Sequence, residues 1–289
     1  MLNQRLITGP ILIASLLGLV WVDVLISQTA IGGGIALFTL FALVIIPLAA
    51  REAANLTRSC GVLISPVSTI ILSLWMLGAT AASGFISNPQ IALTLALVGP
   101  AVAISLALII SSWGGKIEGS WTRASSLVGI SIWIGLMGAF WILAARTHST
   151  WLVAGILLTV KLGDIGAYFT GISIGRHKLI PWLSPGKTYE GLIGGMICSG
   201  IGGFALAHLS HSALPENSLS PIAGAVGGIL LAFTGALGDL AESLLKRAAN
   251  AKDSGTCIPG MGGILDVIDS PLAAGPVAYL ILMCGTSTS

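Results

Sequence analysis

The chain has 289 residues, of which 55% are hydrophobic and only 8% charged. Soluble domains carry about a quarter of their residues as charged ones, so the composition excludes a water-soluble globular protein and predicts an all-α, polytopic integral membrane protein. With 13 basic and 11 acidic residues the formal net charge is +2; the placement of charge carries more information than its sum, and no nucleic-acid partner is expected.

Apolar runs of spanning length, about 17–25 residues, fall near 6–26, 31–50, 62–86, 91–112, 124–145, 150–171, 191–209, 222–245 and 270–286. That predicts about nine transmembrane helices, the last one short. The first follows Arg5 as a signal peptide would, but with eight more spans behind it and no clean cleavage site it reads as an uncleaved helix. With a cytoplasmic N-terminus and alternating spans, Arg5, Arg51, Arg58, Lys116, Arg123, Arg176, Lys178, Lys187, Lys246, Arg247 and Lys252 all fall on the cytoplasmic side. Arg146 alone falls outside, and Lys161 lies within a helix. This asymmetry follows the positive-inside rule and predicts charged loops facing the cytoplasm; the inner or plasma membrane is the expected location.

Residues 1–149 form the N-terminal membrane region of about five helices and carry little chemistry. Asp23 is read as the one acid inside these runs, close enough to a helix end to reach the interface. Trp21, Trp113, Trp121, Trp133, Trp141 and Trp151 lie mostly near run ends, as interfacial anchors do. The four cysteines, Cys60, Cys198, Cys257 and Cys284, show no metal-binding spacing and read as packing residues or free thiols.

Residues 150–289 form the catalytic region, with cytoplasmic loops at 172–190 and 246–269. The sixth helix carries Lys161, Asp164 and Tyr168 on one face; the Lys161–Asp164 pair suits either mutual neutralisation or function. Gly175-Arg176-His177-Lys178 and Ser184-Pro185-Gly186-Lys187-Thr188-Tyr189-Glu190-Gly191 follow, a combination of cations and hydroxyls that fits an anionic headgroup or a triphosphate. In the seventh helix, Gly191, Gly195, Ser199 and Gly203 make a stripe for close helix packing, which permits a homodimer. His208 and His211 near its far end read as interfacial.

The stretch from Gly238 to Ser270 concentrates five of the acids: Asp239, Glu242, Asp253, Asp266 and Asp269. Asp239 and Glu242 share a helix face at i,i+3, with Ser243 and Lys246 extending it, and Asp266 and Asp269 repeat the spacing after a Gly-rich turn. Such acids repel unless cations lie between them, and oxygen ligands suit Mg²⁺. Lys246, Arg247 and Lys252 suit a polyphosphate, and Gly260, Gly262 and Gly263 let backbone N–H groups approach phosphate oxygens.

The runs Ser243-x-x-Lys246-Arg247, Lys252-Asp253 and Pro259-Gly260-x-Gly262-Gly263-x-x-Asp266-x-x-Asp269 resemble the signature of phosphatidate cytidylyltransferases (CDP-diacylglycerol synthases). So do Asp164-x-x-Ala167-Tyr168, Gly175, Lys178 and the box holding Ser184, Pro185, Lys187, Thr188, Glu190 and Gly191. The resemblance covers about 160–270; Met261 stands where the family usually has His, and Val267 where it has Arg. It implies transfer of CMP from CTP to phosphatidic acid, at a site where membrane lipids supply one substrate. It further implies Mg²⁺, with room for a second cation, on Asp239, Asp266 and Asp269, and Glu242 as a weaker ligand. Lys187 and Lys246 join the three aspartates as catalytic residues. The substrate-binding set it implies is Asp164, Tyr168, Lys178, Ser184, Lys187, Thr188, Glu190, Ser243, Lys246, Arg247, Lys252, Asp253, Gly260, Gly262 and Gly263. Rival readings are a neighbouring CTP-dependent lipid enzyme of the polyprenol kinase or CDP-archaeol synthase type, a transporter, and an inactive scaffold.

Overall fold

A computed structural model describes residues 2–28, 33–113, 117–213 and 218–286. Lys116 and the start of the second predicted run lie outside the described residues, as does the side chain of Arg5.

Nine helices run through the described residues, and eight are long and apolar enough to cross a membrane. In chain order they are α1 (Leu2–Ser27), α2 (Ile35–Ser59), α3 (Pro66–Ser83), α4 (Pro89–Ser112), α5 (Ser120–Thr147), α6 (Thr150–Ile174), α7 (Tyr189–Ala213), α8 (Pro221–Ala248) and α9 (Leu265–Gly285). In α1 the apolar segment described is Ala14–Ser27. The protein is thus an all-α, multi-pass membrane protein. Proline at the first helical position starts α3, α4 and α8, each behind a side-chain cap: Ser65 accepts from Ser68 N, Asn88 from Gln90 N and Ile91 N, and Ser220 from Ala223 N.

Three boundaries differ from the sequence expectation, and each difference moves residues that matter. α2 runs on past residue 50 to Ser59, because Arg51-Glu52-Ala53-Ala54-Asn55-Leu56 contains no breaker and its alanine face is fully buried. Arg51, Glu52 and Arg58 therefore sit on a helix. α9 starts at Leu265, so Asp266 and Asp269 occupy its first turns and the connecting loop shrinks to 249–264. The 172–190 segment holds a short antiparallel hairpin, β1 (Lys178–Ile180) and β2 (Ser184–Thr188), with Lys178 paired to Thr188 and Ile180 to Ser184.

Small residues set the packing of α6, α7 and α8. The stripe on α7 faces both neighbours: Gly191 lies against Ala167 O, Gly195 against Gly163 O, and Gly203 against Gly224 O. A Cβ at any of these would strike backbone, which is how small side chains let membrane helices approach. α9 joins the C-terminal helices to the N-terminal ones. Leu265 and Leu272 are buried with Ile46, Leu72, Met76, Ile134 and Ile142, and Trp141 Nε1 donates to Pro271 O at 2.9 Å.

Asp23, 0% exposed, accepts from Gly34 N (2.8 Å), Ala36 N (2.9 Å) and Thr150 Oγ1 (2.6 Å). Its carboxylate caps the N-terminus of α2 and ties it to α6, a structural task that fully occupies a buried charge.

Candidate active site

The last three turns of α8, the first two of α9, the hairpin and the loop 249–264 meet at one end of the bundle. Asp239, Glu242 and Asp269 converge there, with one ligand atom from each lying within 4.8 Å of the others. Glu242 is 1% and Asp269 5% exposed, while Asp239 opens to the cleft. Gly238 makes the convergence possible. Its missing side chain lets α8 rest directly on the backbone of Asp269.

Ammonium groups bracket the acids. Lys187, the penultimate residue of β2, places Nζ 2.9 Å from Asp239 Oδ2 and 3.4 Å from Ala236 O. Lys246 Nζ lies 2.6 Å from Glu242 Oε2 and 2.7 Å from Asp266 Oδ1. Glu242 Oε1 is buried without a hydrogen-bond partner, and Asp269 Oδ1 accepts from Ser270 N at 2.7 Å. An orphaned carboxylate oxygen inside a group of three buried or half-buried acids is costly unless a cation completes it. The all-oxygen donor set fits a hard divalent cation.

Asp266 stands apart from this trio. Its Oδ2 accepts from Ser254 N (2.8 Å), Ser254 Oγ (2.7 Å) and Gly263 N (2.7 Å), while Oδ1 takes Lys246. Oδ2 takes three donors from the loop and Oδ1 the lysine, so in this arrangement Asp266 orders the Gly-rich turn and aims Lys246. The turn is narrow: Ile258 N donates to Gly262 O (2.8 Å) and Gly262 N to Ile258 O (3.0 Å). Gly262 has φ +101°, in the left-handed region where glycine is favoured. At Gly263 a Cβ would strike Ser254 Oγ and the Glu52 carboxylate.

Glu52 is the residue that sequence reasoning missed. It comes from α2, is 6% exposed, and accepts from Ile264 N (3.1 Å) and Leu265 N (3.0 Å), the free N–H groups where α9 begins. Its Oε2 also lies 3.1 Å from Ser254 Oγ, so that hydroxyl sits between Glu52 and Asp266 with one proton to share. The Cys257 thiol is hydrogen-bonded to Glu52, and the carboxylate holds its pKa above the ordinary thiol value. The four cysteines are all free and exposed.

The remaining candidates divide by location. Asp164 pairs with Lys161 at 3.1 Å on α6, and the charges of both reach Asp269. Ser243 Oγ lies 3.4 Å from Asp239 Oδ1, and Arg247 Nε 3.5 Å from Leu183 O, linking α8 to the hairpin. Thr188 and Glu190 organise the hairpin itself. Thr188 Oγ1 accepts from Gly191 N (3.0 Å), and Glu190 accepts from Arg176 N (3.1 Å), His177 N (3.2 Å) and His177 Nδ1 (2.6 Å). Ser184 is half-buried in β2, and Gly260 (φ +79°) shapes the turn beside Met261. Tyr168, Lys178, Lys252 and Asp253 are exposed and outside the acid cluster.

A family model described as "Cytidylyltransferase family" matches residues 3–284. A phosphatidate cytidylyltransferase of Pseudomonas aeruginosa is 32% identical over 98% of this chain and 97% of its own length. One from Synechocystis is 32% identical over 83% of this chain and 86% of its own. One from Haemophilus influenzae is 41% identical over a shorter alignment, 45% of this chain and 44% of that protein. Matched over residues 3–284, with Asp239, Glu242, Asp266, Asp269, Lys187 and Lys246 gathered at one end of the bundle, the chain belongs to the cytidylyltransferase family.

Proposed function

We propose that this end of the bundle is where CTP and phosphatidic acid react, and that Asp239, Glu242 and Asp269 hold the cation the reaction uses. The protein is a nucleotidyltransferase that makes CDP-diacylglycerol for phospholipid synthesis. A phosphate oxygen of phosphatidic acid attacks the α-phosphorus of CTP, the bond from that phosphorus to the bridging oxygen breaks, and pyrophosphate leaves with the electron pair. The nucleophile is already ionised, so no general base is needed. The work lies in positioning two anions and neutralising their charge.

Mg²⁺ held by the three carboxylates would supply Lewis-acid stabilisation of the phosphate oxygens. The chain's own cations do the rest. Lys187, held by Asp239, and Lys246, held by Glu242 and Asp266, keep their ammonium groups beside the acids, where they would contact the polyphosphate. Arg247, at the join of α8 and the hairpin, and the exposed Lys252 extend the same positive face outward. Asp266 and Gly263 fix the turn whose backbone lines that face. The site lies at helix ends, so the acyl chains stay in the bilayer while the headgroup meets a soluble nucleotide.

The observation that carries this reading is the Asp239–Glu242–Asp269 trio, two of its members buried, with Glu242 Oε1 unsatisfied and two lysines beside it. Purified protein in detergent, given CTP, Mg²⁺ and phosphatidic acid, is expected to release pyrophosphate and form CDP-diacylglycerol. Omission of the lipid should stop release; release with a polyprenol in its place would assign a different acceptor.

The basic residues support a cytoplasmic N-terminus, a cytoplasmic site and nine spans. In a variant keeping Cys257 alone, a membrane-impermeant maleimide is expected to label inverted vesicles and not right-side-out ones. The reverse pattern would overturn the orientation.

A further inference from the structure

Of the lysines at the site, Lys161 alone comes from inside a membrane-spanning segment rather than from a loop, a strand or a helix end. It sits on α6, one turn deeper than Asp164. Its neighbour Val160 packs against Gly235, which in turn touches Ser270. That contact sets this part of α6 level with the residues just on the bilayer side of Asp239 and Asp269. The Lys161 side chain keeps 37% of its surface open, as does that of its partner Asp164. An ammonium held in an apolar helix is expensive, and a single carboxylate contact at 3.1 Å engages one of its three donors.

Two anions must reach the same trio of acids, and they arrive from different phases. Lys187, Lys246 and Arg247 approach from the loop side, where a soluble triphosphate enters. Lys161 approaches from the bilayer side, where the phosphate of a membrane-embedded lipid enters. We propose that Lys161 binds the phosphate monoester of the lipid acceptor, with Asp164 holding the ammonium in position. The subsite takes a lipid phosphate and leaves nucleotide binding to the other cations. This assignment rests on the reaction given above.

The test is a comparison of KM values for the two substrates in wild type, Lys161→Met and Lys161→Arg. Loss of a charge-assisted contact to phosphate is expected to raise KM for phosphatidic acid about tenfold or more, while KM for CTP stays within about twofold. Lys161→Arg should recover most of the lipid affinity. Where Lys161→Met fails to fold because Asp164 is left unpaired, Lys161→Met/Asp164→Asn removes both charges and is read in the same way. Binding without turnover gives a second readout: retention of phosphatidic acid over phosphatidylcholine in native mass spectrometry should be lost in the variant. A pair that merely neutralises itself predicts lower stability with both KM values unchanged or moving together, and that result overturns the proposal. An active wild type whose lipid KM ignores Lys161 sinks the subsite alone. A wild type with no response to phosphatidic acid sinks the reaction and the subsite together.

Discussion

Asp269→Asn is expected to lower turnover by at least about a thousandfold, as loss of a key electrostatic group in a catalytic site does. The same change should raise the melting temperature of protein stripped of divalent cations. Asp269 is 5% exposed, and the hydrogen bond it accepts comes from its own neighbour, Ser270 N. In cation-free protein its buried charge lies beside that of Asp239, and Lys187 and Lys246 pair with the other acids rather than with it, so a neutral amide of the same shape relieves repulsion and desolvation. Mg²⁺ should stabilise wild type in proportion to its occupancy and do so much less for the variant.

Asp266→Asn supplies the contrast. Its oxygens hold Ser254, Gly263 and Lys246, so the substitution breaks a buried pair and should cost about 3–5 kcal/mol. Activity falls in both variants, but melting temperature moves in opposite directions. Thermal melts with and without Mg²⁺ decide between them. If Asp266→Asn raised the cation-free melting temperature and abolished the Mg²⁺ response, Asp266 would be the ligand and Asp269 would not.

Much of this site was legible from local spacing. Asp239 and Glu242, three apart on α8, and Lys246 four beyond Glu242 share a face because a helix has 3.6 residues per turn. The Gly-rich turn announced a tight backbone, which Gly262 and Gly263 deliver. The resemblance ranks Asp266 above Glu242 as a cation ligand, whereas Glu242 converges with Asp239 and Asp269, and Asp266 accepts from the loop and from Lys246. No period in the chain distinguishes a carboxylate that faces a cleft from one that accepts three donors of an adjacent turn. The helix ends were missed for a related reason: hydropathy marks where apolar residues stop, whereas α2 and α9 continue into charged residues whose partners are elsewhere. Glu52 was illegible altogether. It acts on residues more than two hundred positions away, and beside Arg51 it looks like an ordinary charged helix end. Asp23 could be singled out as an acid within an apolar run and was expected to reach the interface; instead it is buried as a cap, a task that needed Gly34, Ala36 and Thr150 in place.

Glu52→Ala should uncouple the N-terminal helices from the catalytic turn. The substitution leaves Ile264 N and Leu265 N without an acceptor at the start of α9, each at about 1–3 kcal/mol for a buried unsatisfied group. The charge that favours a helix N-terminus is lost as well. Ser254 Oγ keeps Asp266, so the trio of acids survives but the turn that positions Lys246 loosens. Since Glu52 holds the turn and is not one of the three converging acids, the loss should appear mainly in kcat, about 10–100-fold, as for other residues that act through a ligand's neighbours. Glu52→Gln keeps one acceptor oxygen and should fall between wild type and alanine. Trypsin reads the loop directly. Lys252 lies in the exposed part of the 249–264 segment, and its cleavage should accelerate in Glu52→Ala at temperatures where the rest of the chain stays folded. Wild-type rates of both turnover and cleavage in Glu52→Ala would remove Glu52 from the site. Faster cleavage with unchanged kcat would leave it holding the loop but show that the loop's order is not what limits catalysis.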